Sequence, residues 1–119
     1  MDLSKIKSPE DVAKATLEIP GYTEFDSKVY AATFQIPKGK VSTYGRIARM
    51  IGNPKAYRAV ANSLHKNPLF PVVACHRVVK EDGRFGGDRK RAEGRCKHCE
   101  EEGVPITNGR VKMRKEIIF

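Results

Sequence analysis

The segment from residue 41 to residue 66 constrains the fold most, because it predicts two short helices joined by a tight turn. The first helix should begin near residues 41–44 with a hydroxyl residue as its cap, and its buried face consists of Ile47, Ala48 and Ile51. The Gly-Asn-Pro sequence at residues 52–54 ends this helix and begins the next, with Asn53 as the N-cap and Pro54 in the first turn. The combination is typical of a helix-turn-helix.

The second helix of this pair, about residues 54–66, has two chemically different sides. The apolar side is expected to face the core and holds Tyr57, Val60, Ala61 and Leu64. The opposite side gathers basic and small residues: Lys55, Arg58, Ala59, Asn62 and Lys66. Such a side can approach a sugar-phosphate groove closely, and an ordinary solvated helix face is the alternative interpretation.

Basic residues are concentrated in the middle of the chain. Residues 36–99 hold fifteen basic and four acidic side chains, a net charge of +11, whereas the flanking segments carry −2 and 0. An uninvolved surface usually mixes the two signs, so this block indicates a polyanionic partner, with nucleic acid favoured. An acidic membrane is a weaker alternative, because no basic helix with a broad apolar face is evident.

The remaining patterns predict a mainly α-helical domain with a small β wing, that is, a winged helix-turn-helix-like fold. Residues 1–22 form a lead-in with one short helix that starts at Ser8, and residues 23–119 form the domain itself. Thr23 is expected to cap a helix that extends to about residue 35. The Asn108-Gly109 pair predicts a hairpin in the C-terminal tail.

The second half of the domain is expected to begin with an extended, buried segment at residues 68–79. A hairpin turn and a glycine loop follow at residues 81–87, and Asp88 then caps a last helix that reaches to about Glu102 and ends before Gly103. The buried side of this helix consists of Ala92, Cys96 and Cys99.

Length and composition describe one globular domain. The chain has 119 residues, of which 39% are apolar and 31% charged. Three cysteines at no scaffold-like spacing, with no apolar secretory segment at the start, favour free thiols in a reducing compartment. We therefore expect an intracellular protein, cytoplasmic or, in a eukaryote, nuclear.

The triplet Cys75-His76-Arg77 follows an apolar segment and is itself followed by two valines, Val78 and Val79. A thiol in apolar surroundings is inert unless a neighbouring cation favours the thiolate, and both His76 and Arg77 can do so. The triplet alone fits a nucleophile and a small buried core residue about equally well.

Two further clusters have competing interpretations. Cys96 and Cys99 resemble half of a zinc site, but no second pair follows and their spacing places them on one side of a helix, so core packing is favoured and no metal is expected. Glu102 ends a run of three glutamates at a helix C-terminus, where negative charge is unfavourable. One use for that charge is a relay of thiol, imidazole and carboxylate, in which Glu102 orients His76 and stabilises its charged form beside Cys75.

Four motifs occur together in an order that resembles a known family. They are Ile-Pro-Lys-Gly-Lys-Val-Ser-Thr-Tyr-Gly at residues 36–45, Gly-Asn-Pro-Lys-Ala-Tyr-Arg-Ala-Val at 52–60, Asn-Pro at 67–68 and Cys-His-Arg-Val-Val at 75–79. The combination closely resembles the C-terminal domain of the O6-alkylguanine-DNA alkyltransferases, over about residues 23–104.

The resemblance implies a role for several side chains. Cys75 would accept the alkyl group, His76 would take the thiol proton through a water, and Glu102 would stand behind His76. Asn67 would brace the turn before the nucleophile, and Tyr44 would donate to the departing guanine and help to rotate the nucleotide. Arg58 would enter the base stack that the flipped base has left, with Lys55, Ala59, Asn62 and Lys66 on the same DNA-binding side. Val78, Phe70 and Phe85 are expected to border the guanine pocket.

The implied reaction is irreversible transfer of an alkyl group from O6-alkylguanine in DNA to Cys75, in a single turnover. The implied partner is double-stranded DNA containing O6-alkylguanine, and the protein is expected to act as a monomer without a cofactor. Two alternatives are binding modules: an alkyltransferase-like protein, a class that binds lesions but lacks the cysteine, and a winged-helix regulator, which would need no Cys-His-Arg triplet.

Overall fold

The structure, a computed structural model, describes residues 2–119 and is mainly helical with small strands. Its helices are α1 (Pro9–Leu17), α2 (Glu24–Phe34), α3 (Tyr44–Met50), α4 (Tyr57–His65) and α5 (Arg89–Glu101). Its strands are β1 (Ser42–Thr43), β2 (Val78–Val79), β3 (Ile106–Thr107) and β4 (Arg110–Val111). Short 3-10 turns lie at Leu3–Lys5, Cys75–Arg77 and Lys115–Ile117. The predicted fold class is confirmed.

Most of the predicted helix boundaries agree with the structure, because capping side chains set them. Ser8, Thr23 and Asp88 each accept a hydrogen bond from the backbone N–H three residues further on, at the start of α1, α2 and α5. Gly103 follows α5 with a φ of +86°, a conformation that glycine adopts without strain. The Asn108-Gly109 turn joins β3 to antiparallel β4, so the predicted hairpin is also confirmed.

The turn between α3 and α4 differs from the prediction. Asn53 does not cap α4. Its N–H donates to Ala48 O at 2.9 Å and closes the end of α3, and its C=O accepts from Ala56 N at 3.0 Å in a turn that precedes α4. Gly52, with a φ of +79°, donates to Arg49 O in the same motif. Helix α4 therefore begins at Tyr57 instead of Pro54, with Ala56 as an N-cap that makes no side-chain hydrogen bond. Tyr57, expected in the core, lies in this first turn and is 49% exposed.

The segment before the nucleophile is the second difference. Residues 68–74 form successive turns instead of an extended strand, and only Val78 and Val79 are β structure. Leu69 and Val73 are buried, whereas Phe70 is 41% exposed. Pro68 and Pro71 lie in this segment, and proline cannot donate to a strand ladder, which explains why the apolar run does not form a strand.

Two hydrophobic clusters meet at a short parallel strand pair. The first lies among α1–α4 and the turns before Cys75, and the second contains Val41, Val79, Phe85, Cys99, Val104 and Val111. Strand β1 pairs with β2 in the register Ser42 to Val78 and Thr43 to Val79. Because β1 directly precedes Tyr44 and β2 directly follows Arg77, this pairing brings the start of α3 beside the Cys75 segment. Within residues 2–119 no helix has the length and apolarity that a bilayer crossing requires.

Candidate active site and nucleic-acid interface

Asn67 holds the turn that leads to Cys75. Its side-chain amide donates to Val73 O at 2.7 Å, and its Oδ1 accepts from Leu69 N at 2.9 Å. The chain then enters the 3-10 turn with Cys75 half-buried and its N–H bonded to Val73 O at 3.0 Å. Asn67 thus ties residues 69 and 73 together across the base of the nucleophile turn, and the bracing role that the resemblance implies for it stays a prediction.

His76 is buried beside a carboxylate. Its Nε2 lies 3.1 Å from Glu102 Oε2, with a poor angle for a hydrogen bond, and its Nδ1 has no hydrogen-bond partner within residues 2–119. Burial lowers the pKa of His76 below its ordinary 6.5, although the contact with Glu102 opposes the shift. The imidazole is therefore mainly neutral at neutral pH and able to accept a proton.

Glu102 is kept ionised chiefly by Arg77. Arg77 Nε donates to Oε1 at 2.9 Å and Nη2 donates to Oε2 at 2.7 Å, while Nη1 donates to Ile36 O at 2.9 Å. These hydrogen bonds lower the pKa of Glu102 to about 2, against the effect of burial. Sequence reasoning did not assign Arg77 this part, because nothing local indicates a fork that joins residues 25 positions apart.

The other two cysteines, Cys96 and Cys99, are in surroundings that disfavour the reactive thiolate form. Cys99 is fully buried, and its Sγ donates to His76 O at 3.1 Å, so it fastens α5 to the backbone of the nucleophile turn. Burial raises the pKa of the Cys99 thiol to about 12. Burial and the charge of Glu100 also raise the pKa of the Cys96 thiol. Within residues 2–119 no group of three or more His, Cys, Asp or Glu side chains is arranged to hold a metal ion.

None of the three predicted pocket residues lines the cavity beside Tyr44. Phe85 is packed inside the second hydrophobic cluster, so it does not line the cavity beside Tyr44. The Phe70 ring covers His76, with ring centroids 5.8 Å apart, and the His98 ring lies 5.3 Å from that of His76. Phe70 and His98 therefore shield the imidazole of His76. Val78 is fully buried in strand β2, directly after the nucleophile turn.

Tyr44 lies at the inner side of a cavity of about 620 Å³. Its hydroxyl is 3.5 Å from His65 Nε2, and a Cβ on Gly86 would come within 2.3 Å of the same hydroxyl, so glycine is needed there. Burial raises the pKa of Tyr44, which keeps the hydroxyl protonated and able to donate. No local sequence pattern indicates the Tyr44–His65 contact, because the two residues are 21 positions apart.

The exposed side of α4 contributes the proposed DNA-binding residues. Arg58, Ala59 and Asn62 are exposed, Lys55 is exposed in the turn before α4, and Arg58 also lines the cavity beside Tyr44. Lys66 differs from the others. Its Nζ lies 3.2 Å from Asp26 Oδ2 and 5.2 Å from the centre of the Tyr22 ring, so it fastens α4 to α2.

Comparison with known proteins identifies the family to which the chain belongs. Residues 24–104 match the family "6-O-methylguanine DNA methyltransferase, DNA binding domain", so the chain belongs to this family. Methylated-DNA–protein-cysteine methyltransferase of Methanosarcina mazei is 47% identical over 68 residues, which are 57% of this chain and 43% of that protein. The probable methylated-DNA–protein-cysteine methyltransferase of Acanthamoeba polyphaga mimivirus is 49% identical over 70 residues, which are 59% of this chain and 46% of that protein. The chain thus spans less than half the length of these curated relatives.

Solved structures show the same architecture. S. pombe Atl1, in complex with damaged DNA containing O6-carboxymethylguanine, aligns with a TM-score of 0.71 and 36% identity over 81% of this chain and 94% of that protein. Mycobacterium tuberculosis OGT, in complex with DNA, aligns with a TM-score of 0.64 and 36% identity over 67% of this chain and 50% of that protein.

Proposed function

We propose that this protein repairs DNA directly by accepting the alkyl group of O6-alkylguanine on Cys75. The observation that carries the proposal is the arrangement next to the half-buried Cys75. The neutral, buried imidazole of His76 has Nε2 beside Glu102, and Glu102 is ionised because Arg77 holds it. A neutral base backed by a fixed anion is what activation of a thiol nucleophile requires.

In the proposed reaction the thiol proton passes to His76, and Glu102 stabilises the resulting imidazolium. Nδ1 of His76 is the nitrogen left to receive this proton, through one water, because Nε2 faces Glu102. The thiolate sulfur then forms a bond to the alkyl carbon while the bond from that carbon to guanine O6 breaks. The electron pair of the broken bond goes to the guanine, whose negative charge is stabilised by a hydrogen bond from the Tyr44 hydroxyl. The guanine then takes a proton from water, and His76 releases the former thiol proton to water, so both side chains end as they began.

The substrate atom lies inside a DNA duplex, so the nucleotide must leave the base stack before it can react. Unstacking costs a few kcal/mol, and Arg58, exposed at the cavity rim, is placed to fill the space that the base has left. The exposed side of α4 is the proposed groove contact. We further propose that the protein works as a monomer without a cofactor, in the cytoplasm or nucleus where DNA is found.

Lesion binding without transfer is the second candidate function. It is favoured by the alignment with Atl1 bound to damaged DNA, which covers 94% of that protein, compared with 50% of Mycobacterium tuberculosis OGT. The two candidates share DNA binding and differ in the fate of Cys75.

Incubation with duplex DNA that contains O6-methylguanine, followed by intact-protein mass, separates them. Direct repair predicts a gain of one methyl group per molecule, which peptide mapping places on Cys75. Cys75→Ser should abolish the gain and retain DNA binding, since α4 is a separate element. Tight binding of the lesion with no change of mass would favour the binding module, and methyl groups on Cys96 would show that the nucleophile is wrongly assigned.

A further inference from the structure

The cavity beside Tyr44 has two basic walls, and the proposed function uses only one of them. The first wall is the helix-turn-helix side, with Arg49 at the end of α3 and Arg58 on α4. The second wall is formed by the turn after β2 and by the glycine loop, with Lys80, Gly86 and Gly87 on the cavity surface. Nothing in the proposed reaction explains why the second wall is basic.

Two arginines of α5 stand directly against this second wall. Arg95 Nη1 donates to Gly86 O at 2.7 Å. A Cβ added to Gly87 would lie 2.6 Å from Arg95 Nη1 and 3.2 Å from Arg91 Cβ, so both arginines pack on the loop with no side chain between. Arg91 and Arg95 are four residues apart and therefore share one side of α5.

The charges of the second wall reach the interior of the cavity. His65 lines the cavity, and its pKa is lowered first by burial and then by the charges of Arg95, Arg91 and Lys80. All three cations thus act on the same imidazole. A positive field inside a concave surface is the electrostatic property that attracts a phosphate chain.

Two carboxylates lie near this wall and leave it with a net positive charge. Glu81 lines the cavity and accepts the hydroxyl of Thr43 at 2.9 Å, and Asp88 lies 3.9 Å from Arg91 Nε, so these two anions stand beside the three cations Lys80, Arg91 and Arg95. Within residues 2–119 Lys80 makes no ion pair, and the guanidinium of Arg95 makes a single hydrogen bond, the one to Gly86 O. The donors that remain on these side chains are available to a ligand.

We propose that Lys80, Arg91 and Arg95 form a second phosphate-binding wall, which holds the backbone of the target DNA strand across the cavity from the helix-turn-helix wall. That the bound phosphates belong to DNA rests on the proposed function. Rotation of a nucleotide into the cavity brings its flanking phosphates to the rim, where cations on both sides can contact them. Each such contact releases condensed counterions and adds to the salt dependence of binding.

The test is DNA binding measured by fluorescence anisotropy at several salt concentrations, with a plain duplex and with the same duplex carrying O6-methylguanine. Lys80→Ala and Arg91→Ala should each weaken binding and reduce the slope of log affinity against log salt by about 0.9. Lys97→Ala is the matched control, because Lys97 lies two residues after Arg95 and so on the opposite side of the same helix. Arg95 is left unchanged because it also holds Gly86.

Wild-type affinity and slope in both variants, or an equal loss in Lys97→Ala, would overturn the second wall. Methyl transfer from the lesion duplex is measured on the same samples. Transfer to Cys75 together with unaffected binding in the variants would leave the repair proposal standing without the wall. A lowered slope in the variants with no methylation of the wild type would leave the wall standing without repair. If the wild type does not bind DNA, both proposals fail.

Discussion

Asp26 and Glu102 are both carboxylates with side chains almost removed from solvent, 3% and 13% exposed, and both have lowered pKa values, yet they fasten different parts of the molecule. Asp26 Oδ1 accepts the Ser63 hydroxyl at 2.6 Å, and Oδ2 completes the capping box of Thr23 and contacts Lys66. Its partners join α2 to α4 and include no group that titrates near neutral pH. Glu102 is held by a permanent cation, Arg77, and also faces the neutral imidazole of His76.

The difference shows what distinguishes a structural carboxylate from one available for chemistry. Each oxygen of Asp26 accepts from fixed donors, so its charge orients α4 and does nothing further. The charge of Glu102 is already stabilised by Arg77 and needs no proton on His76. It can therefore stabilise an imidazolium that forms only during the reaction.

The largest effect is expected from Glu102→Gln. An amide cannot stabilise a charged His76, and the pKa of His76 falls further without the carboxylate that raises it. We expect the single-turnover rate of methyl transfer to fall on the order of 100-fold, and the acidic limb of its pH profile to move to lower pH, because His76 must be neutral to accept the thiol proton. Duplex binding should remain near that of the wild type. A normal rate and pH profile would show that His76 needs no carboxylate.

The counterpart at the other carboxylate is Asp26→Asn, which should lower stability and spare the chemistry. The substitution weakens the hydrogen bond from Ser63 and the contact with Lys66, so the free energy of unfolding should fall by about 2 kcal/mol. Denaturant unfolding measures this loss, and the methyl-transfer rate of the folded variant should be within a factor of about two of the wild type. Ser63→Ala, which removes only one partner, serves as a milder control. A large loss of rate with normal stability would reverse the roles assigned to the two carboxylates.

The stability of the protein in acid is a further test of the two sites, because both carboxylates have lower pKa values in the folded state than in the unfolded one. For Glu102 the ordinary pKa is 4.5 and the folded value is about 2. The unfolded chain therefore binds the proton first, and the stabilisation, present in full above about pH 4.5, is lost as the pH falls toward 2. In that window Glu102→Gln should flatten the pH dependence of unfolding by about 1.4 kcal/mol per pH unit. An unchanged slope would mean that the fork to Arg77 does not persist in solution.

The Asp26 site and the Glu102 site also differ in how far the sequence predicted them. Thr23 was identified as the cap of α2 from local spacing alone, and its capping-box partner is Asp26. The contact from Asp26 to Ser63 spans 37 residues and leaves no local pattern, so it was not predicted. A relay of Cys75, His76 and Glu102 was considered from the residues themselves, and the family resemblance then assigned their roles, whereas the fork from Arg77 to Glu102 was missed.

Backbone hydrogen bonds explain the predictions that were wrong. Asn53 has the right side chain for an N-cap, but its C=O closes a turn with Ala56 N at 3.0 Å, and α4 begins only after that turn. Tyr57 follows the apolar period of α4, yet the late start of that helix leaves the ring beside the cavity. Side-chain periodicity predicts which face of a helix is buried, but it does not predict where the backbone begins to be helical.

The smallest effect is expected from Glu100→Gln and Glu101→Gln, the matched controls for Glu102. Both side chains are exposed, and that of Glu100 points toward Cys96, whose Sγ lies 3.6 Å from its Oε1. Neither is among the partners of His76 or Arg77, so we expect methyl-transfer rates and pH profiles equal to those of the wild type. Negative charge is unfavourable at the C-terminal end of a helix, so removing one of these charges should raise the melting temperature slightly or leave it unchanged.

Glu100→Gln should in addition make Cys96 react somewhat faster with a thiol reagent, since the Glu100 charge raises the pKa of that thiol. A slow methyl transfer in either variant would place the functional carboxylate one or two residues earlier in the chain, and would contradict the geometry that assigns the role to Glu102.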